Sequence, residues 1–147
     1  MKLSTKGRHA VTAMMELALQ NKKGPVTLAD ISAQQAISIS YLEQLFAHLR
    51  KHGLVTGMRG PGGGYCLARP ATEITIASIL ATVDDVSRRE EQPHTQGEAP
   101  VGAQMWLRLS NQIYDYLNSI TLDEAIESAS SDEQRSLFGS GNRQTAA

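Results

Sequence analysis

The sequence predicts a mainly α-helical protein with one small β-hairpin, and three observations predict it. Apolar residues recur at helical spacing in four separate stretches. A glycine-rich tip, Gly60-Pro61-Gly62-Gly63-Gly64, divides two short runs suited to strands. A short helix, a tight turn and a second, amphipathic helix stand directly before that hairpin. The length, 147 residues, suits one domain with an extension or two small ones. Aromatic residues make up only 5% of the chain, so its core must be built mostly from Leu, Ile, Val, Met and Ala.

Ser4 or Thr5 caps a first helix, along which Val11, Met14, Met15, Ala18 and Leu19 recur at helical spacing. Lys22, Lys23, Gly24 and Pro25 end it, with basic charge at the C-terminal end and Gly-Pro as the breaker. Thr27 caps a short second helix from 28 to about 35, and Asp30 lies in its first turn, where the helix dipole favours an acid. After the connection Ala36-Ile37-Ser38, Ser38 or Ser40 caps a third helix that runs to about 52. Its apolar stripe is Leu42, Leu45, Phe46 and Leu49, and Gly53 follows as its C-terminal stop.

The hairpin occupies residues 54–68, and Pro70 ends its second strand. A hairpin placed directly after a helix-turn-helix is a wing. Thr75 caps a fourth helix through about 84 (Ile76, Ile79, Leu80, Val83), and residues 86–100, with two prolines and no apolar period, read as a loop. A fifth helix spans about 101–119 with apolar positions Met105, Trp106, Leu109, Ile113, Tyr116 and Leu117; Ile120 follows. Thr121 caps a short last helix, and the polar tail beyond about 128 carries few structural signals. The expected organisation is a winged helix-turn-helix unit at 1–85, a loop at 86–100, dimerisation helices at 101–129 and a disordered tail at 130–147.

Charge divides along the chain in the same way. Residues 1–70 hold nine Lys and Arg against three acids, a balance of +6, whereas residues 71–147 hold five Arg against twelve acids, a balance of −7. A basic half joined to an acidic half points to polyanion binding in the first. A recognition helix needs slim polar side chains at its N-terminal end, backed by an apolar face. Here that end carries Ser38, Ser40, Tyr41, Glu43 and Gln44. Gln pairs bidentately with adenine, Glu accepts from cytosine N4, and Ser and Tyr hydroxyls suit phosphates. An acid facing DNA is electrostatically unfavourable, so Glu43 either points away or reads a cytosine. Arg50 and Lys51 are either phosphate ligands or C-terminal dipole partners. Arg59 stands at the base of the wing beside the bare tip of Gly60, Gly62 and Gly63, which suits close approach to a narrow groove. Lys2, Lys6 and Arg8 are placed to reach phosphates from the first helix. The expected partner is a double-stranded operator. Met105, Trp106, Leu109, Ile113 and Leu117 are the expected interface of a homodimer.

Other classes are excluded or weakly supported. GPGGGY lacks the Lys-Ser/Thr of a nucleotide loop, and Tyr65 stands where a dinucleotide fingerprint needs its third glycine. Cys66 and the four histidines (His9, His48, His52 and His94) are scattered, so no enzyme is expected. One cysteine cannot form an intrachain disulfide. No apolar run approaches the roughly 20 residues of a membrane span, and no secretory signal is read at the N-terminus. A cytoplasmic protein without membrane contact is expected. A winged helix that binds protein rather than DNA is the remaining alternative, and the basic N-terminal half argues against it.

MKLSTKGRHAVTAMMELAL, LADIS, SYLEQLFAHLRKHGLV and RGPGGGY resemble the IscR-like, Rrf-type bacterial regulators, closely over residues 1–85 and loosely over the fifth helix. The resemblance implies a homodimer whose long helix crosses its partner, and operator binding that controls iron–sulfur, cysteine or redox-stress genes. It places base reading on Ser40, Glu43 and Gln44 and the wing arginine on Arg59. It also implies an iron–sulfur cluster held by three cysteines and a histidine before the long helix. Here that loop has no cysteine, and the family's histidine position, aligned on Trp106, falls on Ala103. The expectation is therefore a regulator with no cofactor and no metal, controlled by a regulatory protein, a small-molecule effector or its own abundance. The alternative is a cluster or metal with unusual ligands: His94, Glu90 and Glu91.

Overall fold

The structure, a computed structural model, describes residues 4–83 and 101–139, with side chains to 132 in the last helix. Helix α1 (Thr5–Gln20) starts at Ser4, whose Oγ accepts from the Gly7 N–H at 2.9 Å. It relaxes into a single 3₁₀ turn (Asn21–Lys23) before Gly24. Its inward face is Ala10, Ala13, Met14, Leu17 and Ala18. This corrects one expectation, because Leu19 is 47% exposed. Small alanines on the inward face let α1 sit close to its neighbours, and they carry a weaker periodic signal than the Leu they displace.

Helix α2 (Leu28–Gln35) has a reciprocal N-terminal cap. Thr27 Oγ1 accepts from Asp30 N–H (3.1 Å), and the Asp30 carboxylate accepts from Thr27 N–H (3.4 Å). Ala36 then turns the chain in the left-handed conformation (φ 53°, ψ 38°), and the Ser32 hydroxyl donates to the Ile37 carbonyl across the turn. Helix α3 (Ile39–Lys51) starts at Ser38, whose Oγ accepts from Tyr41 N–H at 3.3 Å. It ends at His52, followed by Gly53 at φ 74°. Leu42, Leu45, Phe46 and Leu49 are all fully buried, as the stripe predicts.

Strands β1 (Val55–Met58) and β2 (Gly64–Leu67) pair antiparallel, with Val55 opposite Leu67 and Met58 opposite Gly64. Helix α4 (Ile76–Val83) buries Ile76, Ala77, Ile79 and Leu80 against α1 and α3. Helices α5 (Val101–Ser119) and α6 (Leu122–Gly139) complete the described residues. Their junction is fastened to the entry of α4 by an isolated bridge, Thr75 with Thr121. Ile76 N–H donates to the Ile120 carbonyl (3.0 Å), and Leu122 N–H donates to the Ile74 carbonyl (2.7 Å). Leu122 is fully buried in the same core as Met14, Leu17, Ile31, Phe46 and Leu80.

Helix α6 corrects the reading of a short helix and a disordered tail from 130, because it continues to Gly139. No glycine or proline stands between Leu122 and that residue, so nothing in the chain interrupts the helical hydrogen bonds. Residues 140–147 lie outside the described residues, as does the expected loop at 86–100.

Candidate nucleic-acid interface

Helix α3 is two-faced. Leu42, Leu45, Phe46 and Leu49 form one side of the core, while Ser40, Glu43, Gln44, Ala47, His48 and Lys51 are exposed at the complementary i, i+3, i+4 positions. Thirteen residues at 1.5 Å rise make a rod of roughly 20 Å, and a major groove about 12 Å wide admits a helix of this kind. Ser40, Glu43 and Gln44 therefore share the outward face near the N-terminal end. Ser38 is exposed, but its hydroxyl oxygen is engaged as the helix cap. Arg50 and Lys51 are exposed in the last turn, where they complement the helix dipole whatever else they contact.

The wing is locked to this helix. Tyr65 of β2 packs against Phe46 of α3 with ring centroids 4.8 Å apart. Val26, just before α2, bridges the same residue: Tyr65 N–H donates to the Val26 carbonyl (2.7 Å), and Val26 N–H donates to the Tyr65 carbonyl (2.9 Å). A Cβ at Gly64 would lie 2.5 Å from the Val26 carbonyl oxygen, so only glycine permits this close approach. A Cβ at Gly63 would lie 2.4 Å from the Met58 carbonyl oxygen and is excluded inside the turn for the same reason. Gly60 and Gly62 differ from these two, since an added Cβ would meet nothing within 4 Å and their backbone faces open space. Arg59 is exposed immediately before this open tip. The helix pair and the wing thus form one joined surface on which Ser40, Glu43, Gln44 and Arg59 are exposed.

On α1, Arg8 is exposed and Lys6 half-buried, while Lys2 lies outside the described residues. Tyr41 is half-buried and meets the ring of His9 edge-on at 5.4 Å. His9 belongs to no motif in the sequence, because no linear spacing relates positions 9 and 41. Cys66 is half-buried on β2, where its Sγ approaches Met58 Sδ at 3.9 Å. Among the described residues, no three His, Cys, Asp or Glu side chains are grouped to hold a metal ion. Glu90, Glu91 and His94 lie outside the described residues.

Helix α5 buries none of its residues. Met105 (52%), Trp106 (66%), Leu109 (40%), Ile113 (45%) and Tyr116 (66%) are exposed along one side. Leu117 differs from the other expected interface residues, because with Tyr114 it packs on the chain's own core. No helix among the described residues is long and apolar enough to cross a membrane.

Comparison with known proteins agrees with this architecture. The Rrf2 family, described as an iron-dependent transcriptional regulator, matches residues 3–128. The chain is 50% identical over 130 residues to the HTH-type transcriptional regulator IscR of Pectobacterium carotovorum, covering 86% of this chain and 79% of that protein. It is 47% identical over 130 residues to IscR of Escherichia coli, covering 86% and 80%. Among solved structures, IscR of T. potens superposes with a TM-score of 0.75 at 37% identity over 88% of each chain. CymR, the global cysteine regulator of B. subtilis, superposes with a TM-score of 0.76 at 34% identity, covering 86% of this chain and 97% of that one.

Proposed function

The chain belongs to the Rrf2 family of transcriptional regulators, and from that premise we propose that it binds an operator as a homodimer without a cysteine-ligated cluster. It is a regulator and not an enzyme. The observation that carries the operator reading is the two-faced α3 helix, which presents Ser40, Glu43 and Gln44 outward and is braced by the wing through Phe46 and Tyr65. Gln44 and Glu43 read base edges in the major groove, and Arg59 with the open Gly60 and Gly62 backbone enters the adjacent minor groove. Lys6, Arg8, Arg50 and Lys51 contact phosphates and set the register, as do Lys2, Tyr41 and the backbone around Ser38 and Gly63. The exposed apolar side of α5, from Met105 to Tyr116, is the surface for a second copy. The genes controlled concern iron–sulfur assembly, cysteine or redox stress, by analogy with the IscR and CymR relatives.

The donor set does not fit a thiolate-ligated iron–sulfur cluster. Such clusters are held mainly by cysteines, and the entire sequence has only Cys66, which sits on the wing beside Met58. Two copies would supply two thiolates in all. Control therefore passes through a protein partner, a small effector or protein abundance.

Selection of the full-length protein against random duplexes tests the operator reading. A pseudo-palindromic site is expected, with affinity falling steeply as salt rises. Failure to enrich any site, or binding indifferent to salt, would overturn it. Anaerobic purification followed by an absorption spectrum and iron and sulfide assays tests the second part. A colourless, iron-free protein that still binds the selected site is expected, and stoichiometric iron and sulfide would overturn it.

A further inference from the structure

The contact between His9 and Tyr41 extends the operator-binding reading, on which it rests, to a residue outside the set above. His9 lies on α1 one turn after Lys6, on the same side of the helix. Its ring meets the Tyr41 ring at 85°, with centroids 5.4 Å apart, so the imidazole is held against the first turn of α3. His9 Nδ1 is fully buried and has no hydrogen-bond partner. A neutral imidazole has one N–H donor and one bare acceptor nitrogen. The tautomer with its N–H on Nε2 avoids burying a donor without an acceptor. The side chain is half-buried, and with Nδ1 turned inward, Nε2 is the ring nitrogen left to meet a ligand.

We propose that His9 is a phosphate-contacting residue whose Nε2–H donates to an operator phosphodiester held together with Lys6 and Tyr41. The chemistry matches. A phosphate oxygen accepts from N–H and O–H donors, and here the His9 ring of α1 meets the Tyr41 ring of α3, with Lys6 one helical turn before His9 on the same side of α1. The aromatic contact orients the ring in advance, so little side-chain freedom is lost when the phosphate arrives. The contact carries no base information; it fixes the entry of α3 into the groove by tying α1 to the backbone beside it.

The test uses the full-length protein and its selected operator, with single phosphates replaced in turn by uncharged methylphosphonates. His9→Phe keeps a flat ring beside Tyr41 and removes the donor, while His9→Gln restores an N–H at similar reach. On the unmodified operator, His9→Phe is expected to bind roughly ten- to a hundredfold more weakly, the size of one hydrogen bond to a charged group, with base preferences unchanged. His9→Gln recovers most of that loss. Wild-type binding falls at one particular methylphosphonate, and His9→Phe, which keeps Lys6 and Tyr41, falls there by clearly less. Wild-type affinity in His9→Phe would overturn the proposal. So would a weakened His9→Phe that stays as sensitive as wild type at every phosphate, since the histidine would then act only in packing. Coupling to one phosphate remains readable even if His9→Phe melts at a lower temperature. If wild type binds no duplex, the operator reading itself fails, which is a separate outcome from wild-type binding without His9 coupling.

Discussion

Ala36 holds a left-handed backbone at φ 53° in the turn between α2 and α3, a conformation disfavoured for any residue with a Cβ by about 1–2 kcal/mol. Alanine is tolerated there because the Ser32 hydroxyl and the Ser32 carbonyl both close the turn around it. Ala36→Gly relieves the strain and loses some of that gain to the freer unfolded chain, so a net stabilisation of about 0.5 kcal/mol is expected in denaturant unfolding. Ala36→Val should destabilise by about 1–2 kcal/mol, since branching at Cβ aggravates the same clash. Glu43 is exposed on the outward face of α3, where an acid is unfavourable beside phosphates unless a cytosine amino group meets it. Glu43→Ala should flatten discrimination at one base pair by about 1–3 kcal/mol, measured as the spread of affinities across single-substitution operators. Ser40, Glu43 and Gln44 were legible in the sequence because the helical period puts them opposite Leu42, Leu45, Phe46 and Leu49. The His9–Tyr41 contact was not, because it joins residues 32 positions apart.

At the scale of elements, the capped helices and the hairpin were readable because their signals are local. Ser4, Thr27, Ser38, Thr75 and Thr121 each accept a backbone N–H three residues on, so each cap is a short-range property of the chain. The end of α6 is not legible in the sequence, because polar helical surface and a polar tail look alike when no breaker separates them. The anchoring of the wing was also invisible: Val26, Phe46 and Tyr65 meet only once α2, α3 and β2 are assembled. The α5 helix leaves Trp106, Leu109, Ile113 and Tyr116 exposed, an apolar strip expected to associate with its copy. Ile113→Asp puts an unpaired charge in that strip. It should turn a dimer into a monomer in sedimentation or light scattering while the helical circular dichroism of each chain is retained.

For the whole molecule, one core spans both halves of the chain. Leu122 is fully buried among residues of α1, α3 and α4, and the bridge between Thr75 and Thr121 ties the α5–α6 junction to the start of α4. Leu122→Ala should cost about 2–5 kcal/mol, the usual range for emptying a buried leucine site. Because the core is shared, the loss should appear as a lower midpoint of a single transition seen by both helical signal and tyrosine fluorescence. Two separate transitions would show that the C-terminal helices unfold independently.

The sequence by itself determined the winged helix-turn-helix plan, the two-faced pattern of α3, the glycine-rich wing tip and the single cysteine. All of these follow from local caps, short periods and composition, which the chain carries without reference to distant residues. Only the tertiary structure decided that Leu19 faces out, that Leu117 faces its own core, that the wing is braced on Phe46, and that His9 stands beside Tyr41. The physical reason is common to all four: which side of an amphipathic element is covered, and by what, depends on neighbours distant in sequence that packing brings into contact.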